Sequence, residues 1–100
     1  MATYIMLTSL KTDVVKNPKD YLALNQIVGE KVKQQCPEVK WIANYSVFGP
    51  YDYVDVFEAP HNESAAKVAL LVRSFGHSTT EIWPAVAWQK FENIALQVAA

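Results

Sequence analysis

The stretch Phe48–Pro60, FGPYDYVDVFEAP, decides how the chain is read. Gly49-Pro50 makes a tight connection between two extended segments. Residues 51–59 then alternate with the two-residue period of a strand, and Pro60 ends the run. Asp52, Val54, Val56 and Glu58 fall on one side; Tyr51, Tyr53, Asp55 and Phe57 fall on the other. The first set is aliphatic between acids placed at the strand ends, where water reaches them. The second is aromatic with one carboxylate.

Working outward, TYIMLTSL (3–10) is rich in β-formers and apolar on both sides, so both faces of that strand are covered. Asn17-Pro18-Lys19-Asp20 carries an N-cap, a first-turn proline and an acid suited to the helix dipole. Leu24, Ile27, Val28 and Val32 follow at helical spacing, and Pro37 stops the helix. Residues 39–48 form a second strand, hairpinned to 51–59. Asn62 is positioned to cap a second helix bearing Ala65, Val68, Ala69, Val72 and Phe75 on one face, which Gly76 ends. Residues 78–88 form a fourth strand, with Pro84 marking an edge or a bulge. Trp88, Phe91, Ile94, Ala95 and Val98 share one face of a short final helix.

The order β-α-β-β-α-β predicts an α+β, ferredoxin-like domain: one antiparallel four-stranded sheet with two helices on one face, and an extra C-terminal helix. One hundred residues fit a single domain, with a core at 1–86 and an extension at 87–100. Val54 and Val56 are expected beneath the helices. The helix-free side is then expected to carry Trp41, Tyr45, Tyr53, Phe57 and Trp83, with Tyr51, Asp55 and Glu81 among them. That is too much aromatic surface to leave in water. With 51% hydrophobic residues, the chain has apolar surface to place in a subunit interface. A second copy packed sheet to sheet is the simplest cover, and its polar residues would line a pocket.

A net charge of −1 offers no bulk attraction to nucleic acid or to an anionic membrane. Aromatics on the third strand of this topology also serve RNA recognition, but the basic lead is absent and Asp55 would repel phosphate. The longest apolar run, VALLV, is too short to cross a bilayer, and the N-terminus has no basic lead of a signal peptide. One cysteine, Cys36, excludes an internal disulfide and fits a reducing compartment, so a cytoplasmic location is expected. Two distant histidines give no metal spacing, and there is no glycine-rich phosphate loop or nucleophile elbow. The candidate catalytic residues are His77, Asp55 and Glu81: a base with two acids to orient it. The candidate ligand-binding residues are Tyr51, Tyr53, Phe57, Trp41 and Trp83. His61, beside the capping Asn62, is expected at the surface.

GPYDYVDVFEAP, followed by ESAAKVALLVRSFGHSTTEIWPA, resembles the GYD-domain family, through Gly49, Tyr51 and Asp52 and through Gly76, Thr79 and Thr80. The resemblance implies a small bacterial domain of the dimeric α+β barrel type. It implies no particular reaction. Related folds serve small monooxygenases, isomerases, haem-handling enzymes and effector-binding modules. The expected function is therefore a homo-oligomeric domain that binds an apolar or aromatic metabolite. A cofactor-independent monooxygenase or isomerase, with His77 as base and Tyr53 as hydrogen-bond donor, is the alternative, and a ligand-free structural scaffold is a third. No cofactor is predicted, with haem and flavin left open.

Overall fold

The computed structural model describes residues 1–11 and 17–100. Its elements are β1 (Ala2–Leu10), α1 (Pro18–Gln35), β2 (Lys40–Ser46), β3 (Tyr53–Ala59), α2 (Asn62–Ser74), β4 (Ser78–Ala85) and α3 (Trp88–Ala99). The four strands form one antiparallel sheet in the order β2-β3-β1-β4, the ferredoxin-like βαββαβ arrangement. β1 is central, paired to β3 from Ala2 with Ala59 to Thr8 with Tyr53 and to β4 from Thr3 with Ala85 to Leu10 with Ser78. β4 is an edge strand, which accommodates Pro84 without loss of a ladder donor.

Local signals place the helix ends. Asn17 accepts a bond from the Asp20 amide at 3.3 Å, and Pro18 opens α1. Gly76 follows the C-cap Phe75 with φ +79, a left-handed conformation that costs glycine no Cβ clash. The start of α2 differs from expectation. His61 is the N-cap and makes no side-chain cap bond. Asn62 is already inside the helix, and its Oδ1 accepts from the Tyr4 hydroxyl at 2.6 Å, so the amide ties helix to sheet instead of capping. His61 is exposed and pairs with Glu63 at 3.1 Å.

The core lies between the sheet and the two helices α1 and α2. Tyr4, Met6, Phe57, Ala59, Val32, Cys36, Val39, Ala65, Val68 and Val72 are buried there, with Trp41 and Ile82 packed against them. Phe57 has no exposure; its ring stacks on Tyr4 at 5.4 Å and meets Trp41 at 5.1 Å. This reverses the expected assignment of faces. Trp41, Tyr53, Asp55 and Phe57 lie on the helix side, and Val54 and Val56 on the open side. Volume is the reason. α2 presents Ser64, Ala65, Val68 and Val72, which are small, so the sheet must supply the large side chains to reach interior density. An aliphatic face under such a helix would leave voids.

Two further residues depart from simple alternation. β2 carries a bulge between Trp41 and Ala43, so Trp41 pairs with Phe57 on the helix side while Tyr45 pairs with Val54 on the open side. Tyr51 precedes β3, and its hydroxyl donates to Glu81 across the open face. That face carries Ile5, Leu7, Val54, Val56, Tyr45 and Trp83, the last 47% exposed.

α3 has no buried residue, with Trp88 70% and Val98 80% exposed. Its apolar stripe is therefore left in water, and the molecule measures 54 Å along its longest axis against 29 and 17 Å.

Removing the Phe57 ring leaves a cavity beneath α2 that small neighbours cannot collapse into. Phe57→Ala is expected to cost about 3–5 kcal/mol of folding stability, read from urea unfolding. Val56→Ala, on the open face, is expected to cost clearly less, and equal losses would contradict the assignment of faces.

Candidate functional site

α2 packs closely on β4, whereas α1 buries only Val32 along its length, helped by Cys36 just beyond it. The gap beneath α1 is a cavity of about 430 Å3 on the helix side of the sheet. Its floor includes Met6 and Thr8 of β1, Trp41 and Asn44 of β2, and Tyr53 and Asp55 of β3. Its roof is one face of α1, with Leu24, Asn25, Val28, Gly29, Val32 and Lys33. Val72, His77 and Ser78 close one end. Gly29 contributes to the space by what it lacks: a Cβ placed there meets nothing within 4 Å.

The walls are mostly apolar, and the polar groups are few and placed, which is the usual make-up of a ligand site. Asp55 Oδ1 accepts from Asn44 Nδ2 at 2.7 Å, between adjacent strands. Burial raises the Asp55 pKa, and the Asn44 bond opposes that. The Tyr53 hydroxyl and Ser78 Oγ are both buried without a hydrogen-bond partner. Burial also raises the Tyr53 pKa; the nearby Asn25 amide pulls the other way without a formed bond, and Asp52, Tyr21 and Asp55 add to the rise. Unpartnered buried hydroxyls cost free energy, so a site that holds two of them is suited to a polar guest.

His77 is 7% exposed, and its Nδ1 lies 3.3 Å from the Phe75 carbonyl. A carbonyl only accepts, so in this contact Nδ1 is the donor, and whenever the ring is neutral Nε2 is the acceptor. His77 is therefore available as a base at the cavity's end.

The structure divides the site residues expected from sequence. His77, Asp55, Tyr53 and Trp41 line the cavity, and Phe57 lies fully buried against Trp41. Tyr51, Glu81 and Trp83 form a separate cluster on the open face. There Glu81 accepts from Tyr51 at 2.5 Å and from Trp83 Nε1 at 3.4 Å, and the two rings meet edge-on at 6.5 Å. The Glu81 bond raises the Tyr51 pKa, with burial and the Glu81 charge adding to it. Glu81 thus does not meet His77 or Asp55. Sequence reading missed Asn44, Asn25, Gly29 and Ser78; only the neighbourhood of Ser78 to His77 hinted at any of them.

Gly49-Pro50-Tyr51-Asp52 has a structural task. Asp52 Oδ2 accepts from the Leu10 amide at 2.7 Å, its own amide donates to Thr8 O at 2.8 Å, and Ser9 Oγ donates to Pro50 O at 3.1 Å. The turn thereby holds the end of β1, which forms part of the cavity floor.

These residues bear on the comparisons with known proteins. The GYD-domain family model matches residues 4–95. The chain belongs to the GYD-domain family. The matched span takes in most of α3 as well as the sheet and both packed helices. A Thermus thermophilus relative, named a glutamine synthetase and cystathionine beta-lyase binding protein, is 34% identical over 84 residues, 80% of this chain and 83% of the relative. The crystal structure of TTHA0845 from Thermus thermophilus aligns with TM-score 0.61 and 25% identity, over 87% of this chain and 95% of that one. The leucine response regulatory protein LrpA of Mycobacterium tuberculosis aligns with TM-score 0.57 over 86% of this chain and 51% of its own; at 16% identity it shares the fold alone. Among the described residues of this GYD-domain protein, no cluster of three metal-ligating side chains occurs, and no helix is long and apolar enough to cross a membrane.

Two outcomes test this geometry. Asp52→Ala leaves the Leu10 amide without its charged acceptor and is expected to cost about 1–3 kcal/mol of stability, measured by denaturant unfolding. Asp55 has a raised folded pKa, so the folded state binds its proton more readily than the unfolded state does. The Asp55 contribution to stability is therefore best at low pH and is lost as pH rises through the raised pKa. Asp55→Asn keeps an acceptor for Asn44 and is expected to match wild type in acid. It should be the more stable of the two at neutral pH, as thermal melts across that range will show.

Proposed function

We propose that this GYD-domain protein is a small-molecule-binding domain that works as a self-associated assembly, with its ligand held beneath α1. The observation that carries this reading is the pair of buried, unpartnered hydroxyls of Tyr53 and Ser78 in one cavity whose walls are mostly apolar. Trp41, Val28, Val32 and Met6 suit an apolar or aromatic body, and the polar end fixes its orientation.

The enzymatic reading, a cofactor-independent monooxygenase or isomerase, draws on the Nε2 acceptor of His77 in the same cavity. In it His77 is the base, Asp55 the acid and Tyr53 the donor; Glu81, on the other face, takes no part. Self-association draws on different residues. Tyr45, Val54, Val56 and Trp83 on the open sheet face and the stripe of α3 leave a large apolar area in water. The Thermus relative, named for binding glutamine synthetase and cystathionine beta-lyase, favours a protein partner in addition, and this exposed surface offers it room.

Mass spectrometry of lightly purified protein under native conditions tests the ligand. A bound small molecule is expected in wild type and absent in Gly29→Leu, which fills the roof of the cavity. Retention by the folded Gly29→Leu variant would place the ligand elsewhere. Light scattering at micromolar concentration is expected to give at least twice the monomer mass, reduced by Trp83→Ser or Phe91→Asp. A strictly monomeric wild type would remove the assembly from the reading.

A further inference from the structure

Among the described residues, Asp55 is the one carboxylate lining the cavity, and no cation meets it. The sole ion pair among those residues is His61 with Glu63, neither of which lines the cavity. Lys33 lines the roof and His77 the end, yet neither pairs with Asp55. Asn44 occupies Oδ1 and leaves Oδ2 without a partner among the described residues. Half-buried and with one oxygen uncommitted, this carboxylate is a strong acceptor for a charged donor that enters the cavity.

From this we infer the ligand class: the cavity takes a protonated primary amine, a compact molecule with one ammonium group on an apolar body. The inference rests on the reading of this cavity as a ligand site. An ammonium presents three N–H donors and no acceptor. The uncommitted groups on this part of β3 complement that, because Asp55 Oδ2 and the hydroxyl of Tyr53, two residues along the same face, both accept. The indole of Trp41 adds a π face in the lining, which favours a cation in a desolvated site. Val28, Val32, Met6 and Val72 supply apolar contact for the rest of the molecule. A ligand with a carboxylate head would instead bring like charge against Asp55.

The test pairs amines with isosteres that lack the charge. 3-Methylbutylamine and benzylamine are titrated calorimetrically at neutral pH beside 3-methylbutan-1-ol and benzyl alcohol. Wild type, Asp55→Asn and Gly29→Leu are compared. Each amine is expected to bind wild type at least about tenfold more tightly than its alcohol, the difference that a charge-assisted hydrogen bond makes. Asp55→Asn is expected to bring the amine down to the level of the alcohol, and Gly29→Leu to abolish both. Equal affinity of amine and alcohol for wild type, or a preference for amine that survives Asp55→Asn, overturns the amine assignment. The cavity reading would stand in either case, provided Gly29→Leu still removes binding. Failure of every probe on wild type overturns both. The comparison on wild type decides the matter even if a variant does not fold.

Discussion

The packing of Phe57 between Tyr4 and Trp41 is the contact on which the rest of the structure depends. The three rings run across β1, β3 and β2, and they fill the height that the small face of α2 leaves open. Because they are large, the sheet and α2 close into a dense unit. α1 is attached mainly through Val32 and Cys36 at its C-terminal end, so the rest of the helix stands over the floor without filling it. The same arrangement that makes the core solid thus makes the cavity beside it.

The GYD turn serves this arrangement indirectly. Asp52 and Pro50 hold the last residues of β1, and Thr8 and Leu10 there belong to the floor of the cavity. Tyr51 reaches to Glu81 across the other face. One short turn therefore couples both faces of the sheet to the end of the central strand, which is a positioning role and needs no chemistry of its own.

Element order and element type were legible in the sequence because their signals are local. Asn17-Pro18, Gly49-Pro50 and Gly76 act within a few residues, and the alternation of 53–59 is unmistakable. The direction of the faces was not legible. A two-residue period states which side chains go together and not which way they point. Deciding that required weighing Ala65, Val68 and Val72 of α2 against Phe57 and Trp41, a comparison of volumes between distant segments. The bulge at Ile42 changed the side of Tyr45 with no glycine to announce it. Of the candidate site, Asp55, Tyr53 and Trp41, which were expected on the open face, share the cavity with His77. Glu81 could not be separated from them by sequence, since its distance from His77 is short along the chain and long through the sheet. Asn44 and Gly29 carry no local signature at all.

The projection of α3 bears on how the helix itself persists. An isolated helix shorter than about 12–15 residues is marginal in water. α3 has 12 residues, no acid in its first turn, no side-chain cap and, among the described residues, nothing that buries any part of it. Its stacked Trp88 and Phe91 lend only local support. Coil and helix in this segment are consequently balanced by whatever lies against the stripe. A partner laid against that stripe would supply the missing support, so helix content in these twelve residues would rise with the concentration of whatever binds there.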